Sequence, residues 1–210
     1  MKLKINEIFY SLQGEGSASG YPFIFIRFSN CNLRCLYCDT KFSFNEGEEL
    51  PVKEVTERIS YLPSVDHILI TGGEPLLQKE GLLELLKELF VMKKKIFIET
   101  NGSVDISFLP REIVKIIDVK TPSSGYPSSF HIENLKYLTE KDDMKFVISD
   151  KEDFDFSVRF IEEHRLINKI NLIFSPVYKV LEKEKLAQWI LESGLPVRFS
   201  IQLHKLLKMK

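Results

Sequence analysis

Short apolar runs recur along the chain, and they constrain its fold more than any other feature. Each is rich in β-branched or aromatic residues and carries apolar side chains at consecutive positions. The runs occupy residues 22–28, 67–71, 95–99, 115–120, 144–149, 169–174 and 196–201. Runs of this kind are typical of strands that are covered on both faces, as in a parallel sheet.

Segments with helical spacing lie between these runs. The residues with this spacing are Leu82, Leu85, Leu86 and Leu89, then Phe156, Phe160 and Ile161, then Lys185, Trp189 and Ile190. Alternating strands and helices predict parallel strands with right-handed crossovers. Because full helices are fewer than strands, we predict an α/β fold with an incomplete TIM-type barrel, in one domain over residues 1–210. Chemistry should gather on the loops that follow the strands.

All three cysteines of the chain lie in one eight-residue run. Cys31, Cys35 and Cys38 are separated by three and two residues, just after the strand predicted to end at Phe28. This spacing can bring three thiolates around one small inorganic centre. A four-iron cluster usually takes four cysteines, so three would leave one iron open to bind something else.

Other interpretations of the cysteines have less support. A disulfide framework expects an even number of cysteines and a secreted protein. A structural zinc site needs four ligands, and a fourth ligand such as His67 would have to arrive through folding. A non-enzymatic zinc module is therefore the alternative to an iron–sulfur centre.

Four polar loops follow other predicted strands. They would face the cysteine run across the same open end of the predicted barrel. They are Thr71-Gly72-Gly73-Glu74-Pro75, Glu99-Thr100-Asn101-Gly102, the segment 118–125 and Ser175-Pro176-Val177-Tyr178. In the first loop, two glycines would let the backbone pass close to a ligand, and Glu74 can accept from an ammonium group. Taken alone, that loop is an ordinary turn with Pro75 near a helix start.

Charge and composition exclude some classes of protein. Lys and Arg number 29 and Asp and Glu number 30, for a formal charge of −1, whereas a general nucleic-acid binder normally has a basic surplus. The start of the chain carries Asn6 and Glu7 where a signal peptide would be apolar, and no later stretch is long enough to cross a bilayer. We therefore expect no nucleic-acid or membrane partner, and a cytoplasmic location whose reducing conditions suit free thiolates.

The cysteine run, followed one strand later by Gly72-Gly73-Glu74-Pro75, resembles the radical S-adenosylmethionine (radical SAM) superfamily. The resemblance implies one [4Fe-4S] cluster on Cys31, Cys35 and Cys38, with S-adenosylmethionine on the open iron. It also implies that an electron from the reduced cluster cleaves this cofactor into methionine and a 5′-deoxyadenosyl radical.

A narrower resemblance rests on motifs at both ends of the chain. They are Phe9-Tyr10-Ser11-Leu12-Gln13-Gly14-Glu15-Gly16, Phe25-Ile26-Arg27, Cys38-Asp39-Thr40 and Gln202-Leu203-His204-Lys205. These motifs are similar to those of 7-carboxy-7-deazaguanine synthases, the QueE family of queuosine and deazapurine biosynthesis. The resemblance implies ring contraction of 6-carboxy-5,6,7,8-tetrahydropterin with loss of ammonia, started by hydrogen abstraction from C6 and with S-adenosylmethionine regenerated.

The family resemblance also assigns residues to the cofactors. The implied contacts to S-adenosylmethionine are Tyr37, Cys38, Asp39, Gly73, Glu74, Asn101, Asp118, Lys120 and Ser175. Thr40 is the implied ligand of a Mg²⁺ ion beside the substrate carboxylate, and Mg²⁺ commonly takes few protein ligands. No acid–base catalytic residue is assigned, because the radical comes from the cofactor.

The implied substrate contacts are Leu12, Gln13, Gly14, Glu15, Arg27, Thr71 and His204. An amide and a carboxylate at Gln13 and Glu15 match the donors and acceptors of a pterin edge. Arg27 would clamp the substrate carboxylate; the other interpretation is a solvated arginine at a strand end, but a lone charge in so apolar a strand is costly unless it is paired. Family members often end in a Trp-Gly-containing tail, whereas this chain ends at Lys210, so no role is carried over to the tail.

The resemblance further implies a homodimer and a flavodoxin or ferredoxin as electron donor. The alternative function is a glycyl-radical-enzyme activating protein, another small radical SAM enzyme. Such a protein acts on a peptide loop of a partner and has no reason to carry Gln13, Glu15 and Arg27.

Overall fold

The computed structural model describes residues 1–209, and in this part of the chain it forms nine β-strands and five α-helices. The strands are β1 (Lys2–Leu12), β2 (Pro22–Phe28), β3 (Glu48–Pro51), β4 (His67–Gly72), β5 (Lys95–Thr100), β6 (Val114–Val119), β7 (Asp143–Ile148), β8 (Asn171–Pro176) and β9 (Arg198–Phe199). The helices are α1 (Val52–Ser60), α2 (Lys79–Val91), α3 (Lys151–Glu163), α4 (Lys183–Ser193) and α5 (Leu203–Leu207). No helix in residues 1–209 has the length and apolar character that crossing a membrane requires.

All strands belong to one sheet, in the order β3-β1-β2-β4-β5-β6-β7-β8-β9. The seven strands from β2 to β9 other than β3 run parallel to one another. They correspond to the seven apolar runs of the sequence. Within the described residues β3 and β9 lie at opposite edges of the sheet, so the barrel does not close, and the prediction of an incomplete barrel is confirmed.

Two antiparallel strands, β1 and β3, were not predicted. In β1 the pairing with β2 shifts its register between Ile5 and Glu7. Such a bulge interrupts the alternation of apolar and polar residues that indicates a strand. The other strand, β3, has only four residues and begins with two glutamates, so its sequence carries little strand signal.

Successive side chains of a strand point to opposite faces of the sheet, so along each parallel strand they face the helices and the barrel interior in turn. On β2, for example, Ile24 and Ile26 join the large core beneath the helices, whereas Phe23 and Phe25 form a second, smaller core. Leu69 of β4 belongs to that smaller core, and further along the interior face the side chains turn polar. The apolar layer therefore forms the floor of a polar mouth at the carboxyl ends of the strands.

Candidate active site

A cavity of about 680 Å³ lies at the carboxyl ends of the parallel strands. The cysteine loop forms part of its wall, and each of the four polar loops predicted to face it contributes residues. The loop between β1 and β2 and the segment around α5 also line it. The cavity therefore joins segments from both ends of the chain, as a barrel with its loops at one end requires.

Most of the predicted site residues line this single cavity. They are Leu12, Gln13, Gly14, Glu15, Arg27, Cys31, Cys35, Tyr37, Cys38, Asp39, Thr40, Thr71, Gly73, Asn101, Asp118, Lys120 and His204. The two that do not line it are Glu74 and Ser175. Lys210, the last residue of the tail, lies outside the described residues.

The three thiols face the cavity from a loop that is held by hydrogen bonds. The sulfur of Cys31 accepts from the backbone N–H of Leu33 at 3.4 Å and lies 3.9 Å from the side-chain amide of Asn101. The backbone N–H of Leu36 donates to the carbonyl of Ser124 and so ties the loop to the segment after β6. Burial raises the pKa of Cys35 to about 11. Because iron binds thiolate, cluster assembly on this loop should release protons.

Gly72 and Gly73, at the end of β4, line the cavity and also let the chain pass close to the cysteine loop. A Cβ on Gly72 would lie 2.1 Å from the carbonyl oxygen of Phe28, and a Cβ on Gly73 would lie 1.9 Å from that of Asn30. Backbone N–H groups of Gly73 and Glu74 donate to the same two carbonyls. The glycine motif therefore supports the loop that carries the cysteines.

Glu74 is fully buried behind the cavity wall and does not line it. Its carboxylate accepts from the hydroxyl of Thr100 and the backbone N–H of Asn101, both at 2.8 Å, and from the backbone N–H of Leu76. Burial outweighs these hydrogen bonds and raises the pKa of Glu74 to about 7. In this structure its carboxylate connects the end of β4 to the end of β5, and it caps the short 3-10 helix Pro75–Gln78.

Two buried oxygen atoms near the mouth lack a hydrogen-bond partner within the described residues. They are Oδ1 of Asp118 and the hydroxyl of Ser175. Asp118 lines the cavity and its other oxygen pairs with Lys120 at 3.0 Å. A buried oxygen without a partner is costly unless a ligand satisfies it, so Asp118 fits a site that binds a donor group.

The loop after β1 meets the C-terminal segment at Gly14. The backbone N–H of Leu203 donates to the carbonyl of Gly14 at 3.0 Å. A Cβ at Gly14 would lie 2.1 Å from Nδ1 of His204, so only glycine allows this approach. The contact places His204 in the cavity beside Gln13 and Glu15 and covers part of the gap in the open barrel.

Arg27 is a paired, largely buried residue and not a solvated one. Its side chain is 16% exposed, and Nε donates to a carboxylate oxygen of Glu7 at 2.8 Å. The guanidinium also lies 5.5 Å from the centroid of the Phe9 ring, which stacks on Phe25. Since an arginine has five N–H donors, pairing through Nε leaves donors for a ligand carboxylate.

Sequence reasoning missed Lys145. Lys145 lies on β7 and lines the cavity, and its ammonium group forms ion pairs with Glu15 at 2.6 Å and with Glu99 at 2.7 Å. The signal was available, because a charge inside the apolar run 144–149 must be paired if that strand is buried. The same argument singles out Glu99, which ends the apolar run 95–99 and begins one of the four polar loops.

The cysteine loop suits a cluster better than a single ion. Within residues 1–209, no three side chains of His, Cys, Asp and Glu converge closely enough to hold one metal ion. A four-iron cluster distributes its cysteines over different irons, so it does not need such convergence. His67, the suggested fourth zinc ligand, lies at the opposite end of β4 from the cavity and stacks on Phe23. These residues therefore fit an iron–sulfur cluster.

Fold and site together define a radical SAM enzyme. The model of the radical SAM superfamily matches residues 25–121, which include the cysteine loop and the glycine motif. The structure of QueE from Escherichia coli has the same fold, with a TM-score of 0.80 over 97% of this chain and 95% of that one, at 22% identity.

Curated relatives show which family of radical SAM enzymes the chain belongs to. The chain is 41% identical to the 7-carboxy-7-deazaguanine synthase of Koribacter versatilis, over 97% of this chain and 96% of the relative. It is 43% identical to the 7-carboxy-7-deazaguanine synthase of Methanospirillum hungatei, over 97% of this chain and 84% of the relative. The chain belongs to the 7-carboxy-7-deazaguanine synthase family.

Proposed function

We propose that this protein is a 7-carboxy-7-deazaguanine synthase of deazapurine biosynthesis, with residues 1–210 forming a single radical SAM domain. It converts 6-carboxy-5,6,7,8-tetrahydropterin to 7-carboxy-7-deazaguanine and ammonia, as a carbon–nitrogen lyase. The observation that carries the proposal is one cavity that holds three cysteine thiols together with Gln13, Glu15 and Arg27. A glycyl-radical-enzyme activating protein would have no use for Gln13, Glu15 and Arg27.

The cofactor side of the cavity is the wall near the cysteine loop. Cys31, Cys35 and Cys38 would hold a [4Fe-4S] cluster, and the open iron would bind S-adenosylmethionine. When bound, the reduced cluster and this cofactor supply a 5′-deoxyadenosyl radical. Tyr37, Cys38, Asp39, Gly73, Asn101, Asp118 and Lys120 are the proposed contacts to S-adenosylmethionine. The contacts predicted for Glu74 and Ser175 stay predictions, and Glu74 would act from behind the wall by fixing Thr100 and Asn101.

The substrate side of the cavity offers polar groups of both charges. Gln13 and Glu15 would hydrogen-bond the pterin edge, with Leu12 and Gly14 contributing backbone or contact surface. Arg27 would bind the substrate carboxylate while Glu7 holds its guanidinium. Thr71 and His204 would complete the pocket. Because a radical abstracts from whatever lies nearest, orientation is the main task of these residues.

Thr40 is the proposed protein ligand of a Mg²⁺ ion at the substrate carboxylate. It follows the last cysteine by two residues, lines the cavity, and begins the 3-10 helix Lys41–Phe44. A single hydroxyl ligand agrees with the habit of Mg²⁺ of keeping several waters. We further propose that the protein is a cytoplasmic homodimer that takes electrons from a flavodoxin or ferredoxin, since free thiols and a reduced cluster need a reducing compartment.

Anaerobic turnover tests the proposal. The protein is reconstituted with iron and sulfide and assayed with S-adenosylmethionine, a reductant, Mg²⁺ and 6-carboxy-5,6,7,8-tetrahydropterin. The expected products are 7-carboxy-7-deazaguanine, identified by mass, and ammonia. Omitting Mg²⁺ should lower the rate in the wild type and leave it unchanged in Thr40→Val, which is already slow.

Two results would contradict the proposed function. Radical formation on an added glycyl-radical enzyme, with no turnover of the carboxypterin, would favour the activating protein. A colourless protein that holds zinc after reconstitution would favour the non-enzymatic module.

A further inference from the structure

Lys145 forms the centre of a buried charge cluster between the two sides of the cavity. Its side chain is 4% exposed, and its ammonium group lies 2.6 Å from Glu15, 2.7 Å from Glu99 and 3.5 Å from Asp118. These carboxylates come from the loop after β1, from β5 and from β6, so Lys145 connects three separate segments. An ammonium group has three N–H donors, and three carboxylates surround this one.

The two nearer carboxylates are each held at both oxygens. Glu15 accepts from Lys145 at Oε2 and from the side-chain amide of Gln202 at Oε1, at 2.7 Å. Glu99 accepts from Lys145 at Oε1 and from the hydroxyl of Thr71 at Oε2, at 2.9 Å. Each carboxylate oxygen has two acceptor sites, so both groups keep free acceptor sites in the cavity that they line.

The third carboxylate extends the cluster to the cofactor side. Oδ2 of Asp118 lies 3.0 Å from the ammonium group of Lys120 and 3.5 Å from that of Lys145. Asp118 and Lys120 are proposed contacts of S-adenosylmethionine, whereas Glu15 is a proposed contact of the substrate. The distance from Lys145 to Asp118 is the longest of the three, and Lys120 lies closer to Asp118, so Lys145 acts mainly on the substrate side of the cavity.

We propose that Lys145 is a positioning residue that fixes Glu15 and Glu99 as paired acceptors for the amino and ring N–H groups of the pterin. This inference rests on the proposed function, and it adds Glu99 to the substrate contacts. With its donors directed at carboxylates, Lys145 acts on the substrate through them and does not bind it.

The electrostatics of the cluster agree with this role. Burial would lower the pKa of Lys145, but the charges of Glu15, Glu99 and Asp118 raise it well above its usual value. Burial likewise would raise the pKa of Glu99, but Lys145 lowers it to about 2. Lysine and glutamate therefore stay charged at neutral pH, and Glu99 is an acceptor only.

The test compares Lys145→Met and Lys145→Arg with Lys115→Met. Lys115 is the matched control, because it is also buried, at 3% exposure, and pairs with a carboxylate, that of Asp142, at 3.1 Å. Unlike Lys145, it does not line the cavity. Asp142 keeps the backbone and hydroxyl donors of Thr139 when Lys115 is replaced. Each reconstituted variant is assayed for iron content, S-adenosylmethionine binding, KM for the carboxypterin, kcat, and 5′-deoxyadenosine released per product.

Lys145→Met should raise KM about 30-fold or more, the size expected when a buried charged partner is removed. It should also release more 5′-deoxyadenosine per product, while iron content and cofactor affinity stay within about twofold of wild type. In Lys145→Arg the rise in KM should be smaller, because arginine keeps the positive charge. Lys115→Met should leave KM within about twofold, although it lowers stability.

Unchanged KM and an unchanged release ratio in Lys145→Met would overturn the positioning role, as would an equal rise in KM in Lys115→Met. If Lys145→Met does not fold, Lys145→Gln replaces it, with the same expectation and the same contrary result. Absence of product from the wild type would instead overturn the proposed function and this inference with it, so the two failures are distinct.

Discussion

At the scale of single residues, three charged side chains of the parallel strands lie in the site. Glu99, Asp118 and Lys145 belong to mostly apolar strands, and all three line the cavity. Burying an unpaired charge is expensive, so each is found in an ion pair. Pairing offsets the free-energy cost of burying these charges. Because the three side chains line the cavity, a ligand can reach them.

The pairing of Glu99 should appear in the dependence of stability on pH. Its pKa falls from 4.5 to about 2 in the folded protein, so the folded state holds this proton less tightly than the unfolded state does. The resulting stabilisation is fully present above pH 4.5 and is lost as the pH falls towards 2. Between these limits it contributes a slope of up to about 1.4 kcal/mol per pH unit.

Denaturant unfolding of the cluster-free protein between pH 3 and pH 5 measures this slope. In Glu99→Gln the slope should become shallower, while Glu88→Gln, at an exposed carboxylate, serves as control. Equal slopes in Glu99→Gln and wild type would contradict the assigned pairing.

Gly14 should tolerate no side chain. In Gly14→Ala the new methyl group would collide with His204, which should displace α5 from the cavity and lower kcat/KM for the carboxypterin by about 100-fold or more. Hydrogen exchange at the Leu203 amide, which donates to Gly14, should accelerate. Gly194→Ala, which strains the left-handed backbone (φ 66°) but meets no atom near its Cβ, is the control and should leave this amide protected. Retained protection in Gly14→Ala would refute the contact.

At the scale of elements, the glycine motif and the cysteine loop form one packed unit. Gly72 and Gly73 lie against the backbone of Phe28 and Asn30, so the turn after β4 supports the loop after β2. Both segments are predicted from the sequence to lie at one mouth of the barrel, because carboxyl ends of parallel strands meet there, and both line the cavity. Their direct packing could not be predicted, since a glycine pair indicates close approach without identifying the neighbour.

Gly73→Ala should weaken the cluster loop. The clash involves the carbonyl of Asn30, which cannot rotate away as a side chain could, so we expect a loss of about 1–3 kcal/mol in the free energy of unfolding. Iron content after reconstitution should fall with it. Iron analysis and the absorbance of the cluster measure the effect. Gly194→Ala is the control for a general loss of stability, because the left-handed backbone at Gly194 (φ 66°) strains alanine while the space around its Cβ is open. Normal iron content in Gly73→Ala would show that the loop does not depend on this packing.

At the scale of the whole molecule, the barrel remains open in the sheet, and segments from both ends of the chain line the cavity. Apolar runs predicted the seven parallel strands, but the bulged β1 and the short β3 escaped detection. The cysteine spacing and the loops after strands predicted most of the cavity lining. Lys145 escaped because its partners, Glu15 and Glu99, are 130 and 46 residues away in the chain, and such pairing emerges only when the barrel assembles.

Removal of the C-terminal segment should impair the substrate side of the cavity and leave the cofactor side working. A chain truncated after Ser200 keeps β9 but loses Gln202, His204 and Lys205 from the lining. It should still bind the cluster and release 5′-deoxyadenosine, while product formation falls by about 100-fold or more. Product and 5′-deoxyadenosine are quantified in one reaction, with full-length protein as the reference. Loss of cluster binding in the truncated chain would instead show that the segment supports the whole fold.

The central claim is that one cavity brings the carboxypterin to the radical generated beside Cys31, Cys35 and Cys38. Its most direct test is a reaction with substrate that carries deuterium at C6, followed by mass analysis of the recovered S-adenosylmethionine and product. The account predicts deuterium in the recovered cofactor together with formation of 7-carboxy-7-deazaguanine. Product formed with no deuterium in the cofactor, or unlabelled 5′-deoxyadenosine accumulating beside unchanged substrate, would contradict it.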